Sequence, residues 1–162
     1  LSKALTGGTM ALSATIAVDQ VFGAFLSIDE SKGLMHGPTY MANPLACAAA
    51  NASIELFEQE PRMKQVAVIE DRLQEFLEVA RSLPRVSDVR VKGAVGVVEL
   101  AGPLPVDLLR RRFIEMGVWI RPFGNIIYLT PAFTIGEDQL QYLTDCIIQV
   151  VNQLSDLGEA RK

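Results

Sequence analysis

The chain has 162 residues, 49% of them apolar and 21% charged, a balance that suits one ordinary globular domain or a small domain joined to part of another. A net charge of −4 gives no footing for nucleic acid or an anionic membrane as a partner, and no apolar run approaches the ~18 residues of a membrane span. Cys47 and Cys146 lie far apart, match no metal-ligand spacing and sit in apolar helical patterns. That is the setting of buried free thiols in a reducing, cytoplasmic compartment.

The first residue is Leu1 rather than methionine, and it stands inside what reads as a motif, Leu1-Ser2-Lys3-Ala4-Leu5-Thr6-Gly7-Gly8. The expectation is a piece of a longer polypeptide. A lysine held against a small, glycine-rich turn can have its amine desolvated, which disfavours the ammonium and frees the nitrogen to form a Schiff base. Residues 13–18 read as a short buried strand. Residues 19–26 read as a short helix with Val21, Phe22, Phe25 and Leu26 on its apolar face. Residues 27–42 are loop-like, broken by Gly33, Gly37 and Pro38. The run His36-Gly37-Pro38-Thr39-Tyr40-Met41-Ala42-Asn43-Pro44 offers backbone amides and a hydroxyl just before a helix, which suits an anion such as a phosphate. Asn43 reads as an N-cap with Pro44 at the first helical position, and an alanine-rich helix follows from Leu45 to Glu58, ended by Glu60-Pro61.

A second helix is expected over 62–82, with Val66, Ile69, Leu73, Phe76, Leu77 and Ala80 on one face. After Pro84 the pattern turns to strands at 86–91 and 94–100. Val106, Leu109, Phe113 and Met116 mark a helix that stops at Gly117. Val118–Arg121 is a strand, Pro122-Phe123-Gly124-Asn125 a turn, and Ile126–Thr130 the returning strand. The last helix runs from about Glu137 to Leu154, with Leu140, Leu143, Ile147, Val151 and Leu154 inward. The chain thus divides into residues 1–58, mostly loop, strand and one long helix, and residues 59–162, an α+β segment able to bury its own core.

Few residues stand out chemically. Taken alone, Lys3 reads as a solvated surface charge, His36 as a structural histidine, and Thr39 as a hydroxyl serving either a phosphate or a loop carbonyl. Arg121 alternates with Val118 and Ile120 and shares the strand face of Trp119. An arginine at a strand end beside aromatics binds a carboxylate bidentately or forms a surface ion pair. Phe123 and Tyr128 flank it across the turn, with core packing as their plain reading. No Walker loop, dinucleotide fingerprint, metal cluster or serine–histidine–acid set is present in the sequence.

In combination, Lys3-Ala4-Leu5-Thr6-Gly7-Gly8, the run from His36 through Leu45-Ala46-Cys47-Ala48-Ala49-Ala50-Asn51-Ala52, and Gly117-Val118-Trp119-Ile120-Arg121-Pro122-Phe123-Gly124 with Ile127-Tyr128-Leu129-Thr130-Pro131 resemble the class III aminotransferases of pyridoxal-phosphate fold type I. They are most like the branch of that family that serves biotin biosynthesis. The resemblance covers the whole chain but only the C-terminal two-fifths or so of the family's length. It implies an α/β fold: the end of the large, cofactor-binding domain with its connecting helix (1–58), then a small C-terminal α+β domain (59–162). It implies that Lys3 holds pyridoxal 5'-phosphate as a Schiff base and then moves the substrate proton. Thr39 would bind the cofactor phosphate across a homodimer whose active site lies at the subunit interface. Gly37 and Pro38 would line the substrate pocket, Arg121 would hold the oxo-acid carboxylate, and Phe123 and Tyr128 would lie near it. No metal is implied, and His36 is left unassigned.

The small-molecule substrates implied are S-adenosylmethionine as amino donor and 8-amino-7-oxononanoate as acceptor. The alternatives are another class III enzyme acting on an ω-amino acid or ornithine, and a non-catalytic α+β module that merely dimerises. The family pattern also calls for an upstream aspartate on the pyridine nitrogen, a glycine-serine phosphate loop and an aromatic stacked on the ring. None is in this sequence, so the polypeptide by itself is expected not to transaminate.

Overall fold

The structure, a computed structural model, describes residues 1–159, with side chains to residue 154. It divides into two compact units, Leu1–Pro61 and a second beginning at Arg62.

The first unit is loop-rich. Lys3–Thr6 form a turn of 3-10 helix, α1 is Asp19–Gly23, Glu30–Lys32 form a second 3-10 turn, and α2 is Pro44–Gln59. The α2 start follows its sequence signals. The Asn43 side chain accepts from the N–H groups of Leu45 and Ala46 at 3.0 and 3.2 Å, and Pro44 occupies the first turn, where its missing N–H costs nothing. The expected strand over 13–18 does not form. A strand needs a neighbour's backbone groups, and this segment's only ladder-like contact is the pair of bonds exchanged by Leu1 and Ala14. The helix expected over 19–26 stops at Gly23, and its intended inner face of Val21, Phe22, Phe25 and Leu26 is exposed. Cys47, expected buried, is partly exposed, while Cys146 is buried.

The second unit is a two-layer α+β sandwich. Helix α3 (Arg62–Leu77) runs into a 3-10 segment, Glu78–Ser82. Strands β1 (Val86–Lys92), β2 (Val95–Leu100), β3 (Arg121–Phe123) and β4 (Ile126–Leu129) make one antiparallel sheet in the order β1-β2-β4-β3. Helix α4 (Val106–Glu115) lies between β2 and β3 in sequence, and α5 (Glu137–Glu159) closes the chain. Alternation decides what faces inward. Val89, Val98, Leu100, Ile127 and Leu129 are buried, whereas Val97, Glu99, Ile126 and Tyr128, on the opposite side, are only half-buried. Helix α3 packs on β1 and β2, α4 on β3, and α5 on both α3 and α4. Their inner stripes, Ile69-Leu73-Leu77, Leu109-Phe113 and Leu140-Ile147-Val151-Leu154, complete the core. Gly96 lets α3 come close: a Cβ there would lie 2.9 Å from Leu77 Cδ1 and 3.3 Å from Leu73 Cδ2.

The last hairpin differs from its expectation. The strand placed at 118–121 begins at Arg121 and takes in Pro122 and Phe123, so the turn shrinks to Gly124-Asn125. Gly124 carries φ 59, the conformation that the first residue of a two-residue hairpin favours and glycine adopts without strain. Pro122 is tolerated because β3 is an edge strand with one free side.

Candidate active site

The candidate residues fall into two groups, one in each unit. Lys3, Gly37, Pro38 and Thr39 belong to the first; Arg121, Phe123 and Tyr128 belong to the second.

Lys3 opens the first 3-10 turn with φ 44, a left-handed backbone that is uncommon for a residue with a Cβ. The loop is braced from within: Thr6, 4% exposed, donates from Oγ1 to Met10 O at 2.6 Å, and Thr9 Oγ1 donates to Thr6 O at 2.7 Å. Within this chain the glycine-rich turn leaves the Lys3 side chain uncovered. Lys3 is exposed, and its Nζ has no hydrogen-bond or ion-pair partner among the described residues.

The His36–Asn43 run is an exposed double turn, with Met41 N–H donating to Pro38 O and Asn43 N–H to Tyr40 O. It ends at Ala42, φ 54, the second non-glycine residue with a left-handed backbone. Such positions gather at functional loops. The first amides of α2 are not open to an anion, because the Asn43 carbonyl groups, side-chain and main-chain, take those of Leu45, Ala46 and Cys47. Among the donors that remain are the Thr39 hydroxyl and the N–H groups of Gly37, Thr39, Tyr40 and Ala42, none with a protein partner among the described residues.

In the second unit, Arg121 and Tyr128 are direct partners across β3 and β4, so their side chains project from the same face. Burial alternates from Trp119 to Phe123, with Ile120 and Pro122 inside and Trp119, Arg121 and Phe123 outside. A recess of 270 Å³ is lined by Trp119, Arg121, Tyr128, Thr130, Pro131 and Leu143, with Leu129 at its base. The Arg121 guanidinium has no carboxylate partner among the described residues, in contrast to Arg72, Arg81, Arg90, Arg110 and Arg112, each of which has one. Phe123 stands on the same face but outside the recess. Trp119, 70% exposed, and Thr130 line it although sequence reasoning did not single them out as site residues. A period of two was the available signal for both, running back from Arg121 to Trp119 and forward from Tyr128 to Thr130. An unpaired guanidinium walled by an indole and a phenol suits a carboxylate on an apolar chain.

Residues 1–151 match the family described as Aminotransferase class-III. The chain belongs to that family. Among curated relatives it is similar to the adenosylmethionine-8-amino-7-oxononanoate aminotransferase of Buchnera aphidicola subsp. Schizaphis graminum, 45% identical over 91% of this chain and 34% of the relative. The enzyme of the same name from Corynebacterium glutamicum is 43% identical over 86% of this chain and 33% of the relative. Among solved structures, that of the same-named enzyme from Methanocaldococcus jannaschii superposes with a TM-score of 0.82 at 33% identity, over 92% of this chain and 37% of that one. The chain therefore spans about a third of the length of the relatives it matches.

Class III aminotransferases depend on pyridoxal phosphate, and an amine transaminase from an uncultivated Pseudomonas species, 26% identical with a TM-score of 0.79 over 94% of this chain and 37% of that one, was solved with it bound. The donor sets here fit such a group: an unpartnered primary amine at Lys3 for its aldehyde, and the free hydroxyl and amides of Thr39 and Tyr40 for its phosphate. Among the described residues no helix is long and apolar enough to cross a membrane, and no cluster of His, Cys, Asp and Glu is placed to hold a metal.

Proposed function

We propose that the protein carrying this chain transfers the amino group of S-adenosylmethionine to 8-amino-7-oxononanoate, giving 7,8-diaminononanoate for biotin biosynthesis in the cytoplasm. The observation that carries the reading is the agreement of the relatives on that one activity, at identities of 38–45% across nearly all of this chain. The unpaired Arg121 in its recess supports it, because the acceptor is a carboxylic acid with an apolar chain.

Pyridoxal phosphate, when bound, supplies the electron sink that lets an amino group leave one carbon and join another. Lys3 would hold it through Nζ, and the same amine would carry the proton at the reacting carbon. Thr39 binds the phosphate through its hydroxyl and N–H, reaching the partner subunit's site in a homodimer, and Gly37 and Pro38 line the substrate pocket beside it. Arg121 binds the acceptor carboxylate with two parallel N–H donors, with Trp119 and Tyr128 lining the recess beside it and Phe123 near it on the same face. Residues 1–58 form the end of the cofactor domain, and 59–162 the small domain.

Donor and acceptor profiling of the complete protein tests this. With 8-amino-7-oxononanoate as acceptor, S-adenosylmethionine should be used in preference to ornithine and simple ω-amines. Preference for ornithine would move the protein to another branch of the family. Absence of any amino transfer, with no adduct trapped at Lys3 by borohydride, would favour a module that only dimerises.

A further inference from the structure

Lys3 keeps its left-handed backbone, φ 44, and a residue with a Cβ stays in that region only where its surroundings hold it. Two hydrogen bonds converge on the next carbonyl. Ala4 O accepts from Gly7 N–H at 3.1 Å, which closes the turn locally. It also accepts from Ser53 Oγ at 3.0 Å, from 49 residues along the chain. The Thr6 and Thr9 hydroxyls brace the loop only against itself. Among the described residues, the Ser53 bond is the one side-chain hydrogen bond that fastens residues 3–9 to a long helix, the 16-residue α2.

Ser53 is also out of character for its helix. The run Leu45-Ala46-Cys47-Ala48-Ala49-Ala50-Asn51-Ala52 precedes it, and alanine at 53 would favour the helix more. A hydroxyl in the middle of a helix commonly turns back to the carbonyl four residues earlier. Here it turns away from its own helix to Ala4 O.

We infer that Ser53 is a positioning residue for Lys3: its hydroxyl ties the Ala4–Leu5 peptide unit, one removed from Lys3, to α2 and so holds the turn from which the amine is presented to the aldehyde of the cofactor. The inference rests on the reading of Lys3 given above. Without the bond the Lys3 backbone relaxes out of the left-handed region, the amine samples more positions, and fewer of them are productive.

The test uses the complete protein freed of cofactor, as wild type, Ser53→Ala and Ser53→Thr. Pyridoxal phosphate is added, its capture is followed by visible absorbance, and the adduct is reduced with borohydride and mapped by peptide mass. Capture on Lys3 should slow by about three- to tenfold in Ser53→Ala, the loss of one neutral hydrogen bond. Ser53→Thr, which keeps a hydroxyl, should stay near wild type. Melting temperature and labelling of Lys64 and Lys92 by an amine reagent should not change. Equal capture rates for wild type and Ser53→Ala would overturn the inference. So would equal slowing in both variants, or slowing accompanied by a fall in melting temperature, which would mark Ser53 as merely structural. A wild-type adduct that maps elsewhere than Lys3 would instead remove the assignment of Lys3 itself, and this inference with it.

Discussion

Arg121 shows how little of a residue's role lies in its type. The chain has several arginines, and Arg72, Arg81, Arg90, Arg110 and Arg112 are each paired with a carboxylate. Arg121 has no carboxylate partner among the described residues: β3 is a short edge strand whose outward face presents aromatics rather than acids. Its substitution by alanine in the complete protein should raise KM for the oxo-acid by about 10- to 100-fold, the worth of a hydrogen bond to a charged group, with a smaller change in kcat. Lysine should restore only part, since it lacks the planar fork; steady-state kinetics with acceptor varied would show it. Asp88 illustrates the opposite case. The Arg90 guanidinium, donating at 2.7 Å, holds its carboxyl below the usual range, helped by the Val89 N–H and Arg81. A carboxylate depressed in the folded state contributes stability that is present above its unfolded pKa, about 3.9, and is lost as pH falls through the lower, folded value. Asp88→Asn should therefore lower the urea midpoint slightly at neutrality, where the ionised carboxylate contributes, and converge with wild type as pH falls below about 4, flattening the acid decline.

Periodicity was enough where an element buries one face against its own unit. The stripes of α3, α4 and α5 read from sequence are the ones packed in the core, because a 3.6-residue period has only one face to offer. It misled where the partner lies outside the element. Among the described residues the apolar run at 13–18 pairs with no strand, and Val21 and Phe22 on the apolar side of α1 are exposed. The Pro122-Phe123-Gly124-Asn125 run read as a turn by composition, yet pairing with β4 draws Pro122 and Phe123 into β3 and leaves only two residues to turn. Packing between layers leaves no room for a Cβ at Gly96. Gly96→Ala should push into Leu77 and Leu73, both fully buried, and cost about 1–3 kcal/mol, the usual penalty for overfilling a core. Chemical denaturation should show this as a lower midpoint with an unchanged slope.

At the scale of the whole molecule the two units differ in kind. The buried core cluster runs from Ile69 to Leu154 and lies entirely in the second unit, whereas the first buries only Thr6, Ala46 and Ala50. A polypeptide beginning at Arg62 should therefore unfold cooperatively with its helix and strand signals lost together, while residues 1–61 alone should show no such transition by calorimetry or circular dichroism. Sequence alone determined the family, the candidate lysine, threonine and arginine, the cap of α2 and the helical stripes, because each is written in residue type at short range: a cap needs only its next three residues, and a stripe only its own turns. Tertiary structure decided that Asn43 already occupies the amides offered to an anion, and that Trp119 and Thr130 share a recess with Arg121. It also joined Ser53 to Ala4. Those facts depend on which carbonyl or side chain arrives from tens of residues away, and no local pattern encodes an arrival of that kind.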